Sequence, residues 1–343
     1  MLRFDSLALF PALPPPVHLA IGVFDGVHLG HRAVIGAAAA AAAASGGSAA
    51  ILTFSPHPSH ILHPKRLVPC IYDDAQKDRL FAELGAQCVV HEPFTPEFAA
   101  MDAQAFLNLL LRHVRSLTSI HVGTDFRFGR GRGGNVALLA TLAKTLGLHV
   151  TATADVVADG SRVSSTRIRA LLETGDVAGA AALLGRAYTT EGVVVGGRAL
   201  GRTIGAPTLN LPWEPEARPR AGVYAVRAQR GERGKWFPGI ANYGLRPTIF
   251  SSTATPASAL LETHLLADTA AVAAAGFNEG ARLRVEWLHF FRPEKKFTDI
   301  SALRSQIERD ITAARAWFAS RNEDFAPAAA PARLCACQHG HTP

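Results

Sequence analysis

The chain has 343 residues, 48% hydrophobic and 18% charged, a balance that supplies buried cores and excludes a disordered or collagen-like chain. At roughly 150 residues per domain, this length predicts two domains. Lysine and arginine total 35 against 28 acidic residues, a net charge of +7 carried by 29 Arg and only 6 Lys. Guanidinium groups suit bidentate contact with phosphate, so an anionic ligand is one reading, and genomic base composition is the equally weighted other. Four cysteines (Cys70, Cys88, Cys335, Cys337) are too few for a disulfide framework and point to a reducing cytoplasm, with Cys70 and Cys88 packing as small apolar residues. Asp5 and Pro14-Pro15-Pro16 interrupt the apolar N-terminal stretches, and the alanine-rich run from Gly36 to Ala44 is far shorter than the roughly 20 apolar residues of a membrane helix, so neither an export signal nor a membrane segment is expected.

From 18 to 156, apolar runs alternate with helix-like stretches. Strands are predicted at 18–24, 49–54, 87–91, 119–123 and 148–156, with helices near 31–44, 74–84, 103–114 and 135–146. That alternation implies βαβ units and a parallel sheet covered on both faces, with ligands at the carboxyl ends of the strands. Helices are then expected after the N-cap cluster Ser164-Ser165-Thr166 and over 176–184, closing a first domain at 1–185. Beyond Tyr188 the pattern turns β-branched (189–195, 222–227, 236–241, 260–266, 283–290), which reads as an antiparallel barrel or sandwich over 186–320. An amphipathic helix after Asp299 ends it, and the Ala/Pro-rich tail 321–343 is expected to be disordered.

Gly22-Val23-Phe24-Asp25-Gly26-Val27-His28-Leu29-Gly30-His31 leaves a strand and enters a helix, where backbone N–H groups and the helix dipole converge on anions. His28 and His31 fall on one face of a helix that starts near 28, at its positive end, and the glycines allow close approach of a ligand. The segment resembles the G-x-F-D-G-V-H-x-G-H signature of bacterial bifunctional riboflavin kinases/FAD synthetases at all eight fixed positions. Thr53-Phe54-Ser55-Pro56-His57-Pro58, Gly123-Thr124-Asp125-Phe126-Arg127-Phe128-Gly129 and Ser164-Ser165-Thr166-Arg167-Ile168-Arg169 resemble further motifs of its adenylyltransferase half, in the same order. The resemblance implies a Rossmann-like nucleotidyltransferase domain. It also implies that Gly22, Phe24, Asp25, Gly26, His28, Gly30 and His31 bind ATP phosphates, His28 and His31 catalytically. Ser164, Ser165, Thr166 and Arg167 would grip the departing pyrophosphate, and Asp125 would hold the flavin. Gly129-Arg130-Gly131-Arg132-Gly133-Gly134 satisfies G-x-G-x-x-G literally, but it does not directly follow a strand and is read as a basic mobile loop beside the nucleotide.

In the second half, Gly201-Arg202-Thr203-Ile204-Gly205-Ala206-Pro207-Thr208-Leu209-Asn210 resembles the family's G-R-x-L-G-F-P-T-A-N kinase signature. Thr208 and Asn210 offer a hydroxyl and an amide oxygen, hard neutral ligands for Mg²⁺. The resemblance implies a Greek-key β-barrel with a C-terminal helix, in which Gly205, Pro207, Thr208 and Asn210 bind ATP with Mg²⁺, and Glu262 is the base for the riboflavin 5′-hydroxyl. Ala206 and Leu209 depart from the signature, and Gly276-Phe277-Asn278-Glu279-Gly280 stands where a Tyr-Gly pair is expected. The main reading is a cytoplasmic enzyme making FMN from riboflavin and FAD from FMN with ATP and Mg²⁺, and no nucleic-acid or membrane partner. The departures leave an adenylyltransferase with a weakened kinase half as the alternative. A nucleic-acid binder using Arg127, Arg130 and Arg132, or a non-catalytic flavin carrier, is more remote. Cys335-Ala336-Cys337-Gln338-His339-Gly340-His341 is too tightly spaced for an ordinary structural zinc site.

Overall fold

The computed structural model describes residues 1–196, 206–245 and 259–321. Gly205 and the expected tail disorder and Cys/His cluster beyond 321 lie outside these residues. The chain divides into two compact units between Ser165 and Thr166.

The first unit contains β1 (Leu2–Phe4), β2 (Val17–Ile21), α1 (Leu29–Ser45), β3 (Ser48–Ser55), α2 (Pro58–Leu62), α3 (Asp74–Glu83), β4 (Cys88–Pro93), α4 (Pro96–Ala99), α5 (Ala103–His113), β5 (Leu117–Gly123), α6 (Val136–Thr145), β6 (His149–Thr153) and a small hairpin, β7 (Val157–Ala158) and β8 (Ser161–Arg162). Six strands form one parallel sheet in the order β1-β4-β3-β2-β5-β6. Strands β2, β3 and β4 step outward in one direction before the chain returns to place β5 on the other side of β2, so the topological switch point lies between β2 and β5. Alternation along the strands separates two faces. Leu19, Ile21, Leu52, Val90, Ile120 and Val122 pack with Phe106, Leu110 and Leu139 from α5 and α6. His18, on β2, turns instead toward α1, where Ser45 meets its ring.

Strand β2 ends at Ile21, three residues before the expected 24, because Phe24, Gly26 and Val27 take left-handed backbone angles (φ 51°, 80° and 43°) that no strand accommodates. β1, the short helices α2 and α4, and the strand Leu209–Pro212 of the second unit carry too few residues for a periodic signal and were not expected.

The second unit begins within α7 (Ser165–Thr174) and continues through α8 (Val177–Leu184), β9 (Tyr188–Val193), β10 (Leu209–Pro212), β11 (Gly222–Arg230), β12 (Trp236–Leu245), β13 (Ala259–Leu265), α9 (Thr269–Ala274), β14 (Arg282–Pro293) and α10 (Ile300–Ala319). α8, which the sequence reading places in the first domain, packs on β9 and β14 of this unit. The strand order is β10-β13-β12-β11-β14-β9, antiparallel throughout, and a bridge between Val195 and Asn210 joins the two ends into a barrel. β14-β11-β12-β13 is a Greek key, three hairpin-linked strands with the fourth returned beside the first. The interior is aromatic: Tyr188, Trp213, Tyr224, Tyr243 and Trp287 touch ring to ring, and the Trp287 Nε1–H donates to Thr190 Oγ1 at 2.7 Å. Strand alternation sends the intervening residues outward, where α10 covers Val223 and Ile240.

Candidate active sites

In the first unit, the loop after β2 lies at the switch point. Its left-handed residues are held by burial, with Phe24 2% and Val27 fully buried, and the Phe24 ring sits edge-on to His31 and Phe81. Such strain persists only where the surroundings over-determine it. Gly22 is required because a Cβ would lie 2.8 Å from the Phe24 ring, and Gly26 because its φ is positive. Asp25 is buried and serves the loop: its Oδ1 accepts from the Ile71 N–H at 2.8 Å, and its carbonyl accepts from Ser165 Oγ at 2.9 Å. Ser165, the first residue of α7, is thereby tied to the glycine-rich loop, while Ser164 precedes the helix and Thr166 and Arg167 follow on it.

His28 is the N-cap of α1, and its Nδ1 accepts from the His31 N–H at 3.3 Å. A nitrogen accepting from an amide carries no proton, so in the neutral ring Nε2 is the N–H donor. The His31 ring stacks on that of His28 with centroids 3.6 Å apart, over Gly30, whose Cβ would lie 3.1 Å from His28 Cε1. Two imidazoles thus stand together at the positive end of a 17-residue helix, an arrangement suited to polyphosphate.

Asp125, just past the end of β5, is exposed and ion-paired to Arg162 of β8 at 2.5 Å; Arg162 also reaches Asp155 at 3.3 Å. The sequence reading missed Arg162, for which a two-residue strand gives no pattern. The G-x-G-x-x-G stretch forms a 3-10 turn rather than a strand-to-helix crossing. It is tied down, with Arg130 N–H donating to Met101 O at 2.7 Å and Arg130 Nε–H to Ala100 O at 2.9 Å. The buried thiol of Cys88 is pushed up to about 12 by desolvation, which keeps it an inert core residue; Cys70 is half-buried.

In the second unit, a cavity of about 320 Å³ opens between the outer wall of the barrel and α10, lined among others by Thr208, Asn242, Glu262, His264, Arg292 and Asp310. Register builds it. Asn210 pairs with Glu262, Glu262 with Asn242, Asn242 with Val223 and Val223 with Arg292, so one row crosses five neighbouring strands. Glu262 is half-buried and stands in that row between two amides. Thr208, two residues before the buried Asn210, lines the cavity with Glu262. Hydroxyl, amide and carboxylate oxygens on one wall form a donor set that fits a hard divalent cation.

On the far side, Arg292 grips Asp310 of α10 through Nε at 3.0 and 3.2 Å and Nη2 at 2.6 Å, and Gln306 donates to the same carboxylate at 2.8 Å. Asn242 Nδ2 donates to Glu294 Oε1 at 3.3 Å. The sequence reading assigned no role to Asn242, His264 or Asp310, although a period of two from Glu262 already selects His264. Where the expected Tyr-Gly pair is absent, Phe277 packs edge-on against Phe237 at 5.2 Å and Gly280 supplies a left-handed turn, so the departure builds an ordered loop.

Comparison with known proteins follows this division. A FAD synthetase family model matches residues 11–167 and a riboflavin kinase family model residues 184–318. The bifunctional riboflavin kinase/FMN adenylyltransferase of Escherichia coli (strain K12) is 36% identical over 301 residues, 88% of this chain and 92% of that protein. The protein of the same name from Bacillus subtilis (strain 168) is 34% identical, with the same two coverages. A crystal structure from Streptococcus pneumoniae described as a macrolide-efflux protein superposes with a TM-score of 0.78 and 26% identity over 92% of this chain and 99% of that one. Among the described residues here, no helix is long and apolar enough to cross a membrane. With both family models matched in chain order and relatives covered over nine-tenths of their length, the chain belongs to the bifunctional riboflavin kinase/FMN adenylyltransferase family.

Proposed function

We propose that this chain phosphorylates riboflavin to FMN at the barrel cavity and adenylylates FMN to FAD, with release of pyrophosphate, at the switch point of the parallel sheet, in the cytoplasm. The observation that carries this reading is the pairing of two separate phosphate-handling geometries: stacked histidines at a helix N-terminus in one unit, and a strand carboxylate between two amides beside a cavity in the other.

In the first reaction, Glu262 takes the proton from the ribityl 5′-hydroxyl, whose oxygen attacks the γ-phosphorus of ATP as ADP leaves. Thr208 and Asn210 would hold Mg²⁺ against the phosphates, and the ion, when bound, neutralises charge developing on the transferred group. Pro207 shapes the turn that approaches the nucleotide, and the resemblance assigns Gly205 to ATP binding. In the second reaction, an FMN phosphate oxygen attacks the α-phosphorus of ATP and pyrophosphate departs, so no protein nucleophile is needed. His28 and His31 donate hydrogen bonds to the phosphates from the end of α1, while Gly22, Phe24, Asp25, Gly26 and Gly30 keep the loop in shape. Ser164, Ser165, Thr166 and Arg167 receive the pyrophosphate at the start of α7. Asp125 faces the flavin in exchange for, or together with, its Arg162 contact.

A chromatographic time course tests the reading, with one reaction started from riboflavin and one from FMN, each with ATP and MgCl₂. FMN followed by FAD is expected in the first tube and FAD in the second. FAD from FMN alone would leave only the adenylyltransferase half, and no flavin conversion in either tube would overturn both activities.

A further inference from the structure

Glu262 and His264 lie two residues apart on β13, and the alternation that brings Glu262 to the cavity brings His264 there too. His264 also makes a contact beyond its own strand: its Nδ1 lies 2.9 Å from the carbonyl oxygen of Pro207. A carbonyl has no proton to give, so this ring nitrogen is the donor.

The position of the bond gives it its significance. The ladder between β10 and β13 begins at the pair Leu209 and Thr263. One step further the backbone partners would be Thr208 and His264, but β10 has not yet started there. The imidazole of His264 makes the connection that the ladder does not, one residue before Thr208, and pins the turn to the strand that carries Glu262. Proline at 207 fixes φ of the same turn, so its carbonyl direction is set from both sides.

We propose that His264 is a positioning residue of the kinase centre, its Nδ1–H holding the Pro207 carbonyl and with it the main chain that presents Thr208 beside Glu262. This rests on the reading of the cavity as the site of riboflavin phosphorylation. Loss of the bond displaces Thr208 relative to Glu262, so turnover suffers more than flavin affinity.

The test uses the full-length chain and three variants, His264→Ala, His264→Asn and His264→Gln. An asparagine amide nitrogen reaches the place of Nδ1, and that of glutamine the place of Nε2. Hydrogen exchange over residues 206–212, measured without ligands, reads the turn directly, and steady-state kinetics of riboflavin phosphorylation read its consequence. Ala and Gln are expected to speed exchange over 206–212 and to lower kcat by about 10- to 100-fold, with KM for riboflavin changed by less than about 2-fold. Asn is expected to restore both exchange and kcat, and FMN adenylylation is expected to stay at the wild-type rate in all three. Unchanged exchange in His264→Ala overturns the proposal, as does restoration by Gln and not Asn, which would place the working nitrogen at Nε2. If the wild-type chain makes no FMN, the kinase reading fails, while the exchange comparison still decides whether His264 holds the turn.

Discussion

The two candidate sites are built by opposite means. In the parallel sheet, the loop from Gly22 to His31 carries its own geometry: three left-handed residues (Phe24, Gly26 and Val27), a histidine N-cap and a second histidine stacked on it within one turn. In the barrel, no stretch of chain holds the site. Thr208, Asn242, Glu262, Arg292 and Asp310 come from the approach to β10, from β12, β13 and β14, and from α10, and meet because strand register aligns Asn242, Glu262 and Arg292 while the turn before β10 and the docked helix bring Thr208 and Asp310 to them. The first site depends on local backbone conformation and the second on pleat and pairing, so they fail by different substitutions.

The largest expected effects separate the two. Glu262→Gln keeps the shape of the row and removes the base, so FMN formation from riboflavin is expected to fall by about 10²- to 10⁴-fold. FAD formation from FMN should be untouched, and a parallel fall in both rates would mean that the sites are not independent. His28→Ala is the converse. It removes the N-cap acceptor and the Nε2 donor together, and FMN adenylylation is expected to drop by about 10²- to 10³-fold with riboflavin phosphorylation at the wild-type rate. Assays started from each flavin separately read both outcomes.

This contrast also explains what could be read before the fold was known. Alternating apolar runs revealed every central strand of the parallel sheet and the longer helices α1, α3, α5 and α6 between them, because each of those elements is long enough to show its period. The eight fixed residues around His28 were legible for the same local reason. What stayed hidden was short or non-local: β1 with three residues, the β7–β8 hairpin that delivers Arg162 to Asp125, and β10. Glu262 was found through resemblance, since a strand carboxylate alone reads as a solvated edge. Its neighbours Asn210 and Asn242 lie 52 and 20 residues away, at distances that only register could relate to it. The Arg292–Asp310 clamp was invisible for a similar reason, because it joins a strand to a helix whose docking no local pattern announces.

A smaller effect sharpens the claim that the first site depends on backbone conformation. Gly26→Ala adds one methyl group at φ 80°, 2.9 Å from the Ile71 side chain. The left-handed backbone costs about 1 to 3 kcal/mol. Ile71 is the residue whose N–H holds Asp25, so a shift there disturbs the loop as well. Chemical denaturation should show the loss of stability, with FMN adenylylation reduced and riboflavin phosphorylation preserved. Wild-type stability in this variant would mean that the loop tolerates side chains that its geometry argues against.

The smallest effect concerns acid. Beneath α1, the first unit buries a chain of polar groups whose direction is fixed. Ser45 Oγ donates to Ala41 O, so His18 Nε2–H donates to Ser45. With neutral rings, His18 Nδ1 accepts from Ser119 Oγ, and Ser119 accepts from His121 Nε2–H. Burial, with a smaller contribution from His18, lowers the pKa of His121 from 6.5 to about 4, and burial lowers that of His18 as well. Because the folded-state value lies below the unfolded one, the unfolded chain binds more protons between them. The His121 contribution is therefore fully present above about pH 6.5 and is lost as pH falls toward 4, a change of about 1 to 3 kcal/mol. In the second unit, burial and, to a smaller extent, Arg321 lower the pKa of His289, which stacks on Trp317. His121→Gln isolates the first contribution, since the glutamine amide can still donate to Ser119 but does not titrate. The stability difference between wild type and this variant is expected to shift against the wild type as pH falls from 7 to 4.5. A difference that stays constant across that range would mean that His121 is not held neutral in the folded chain.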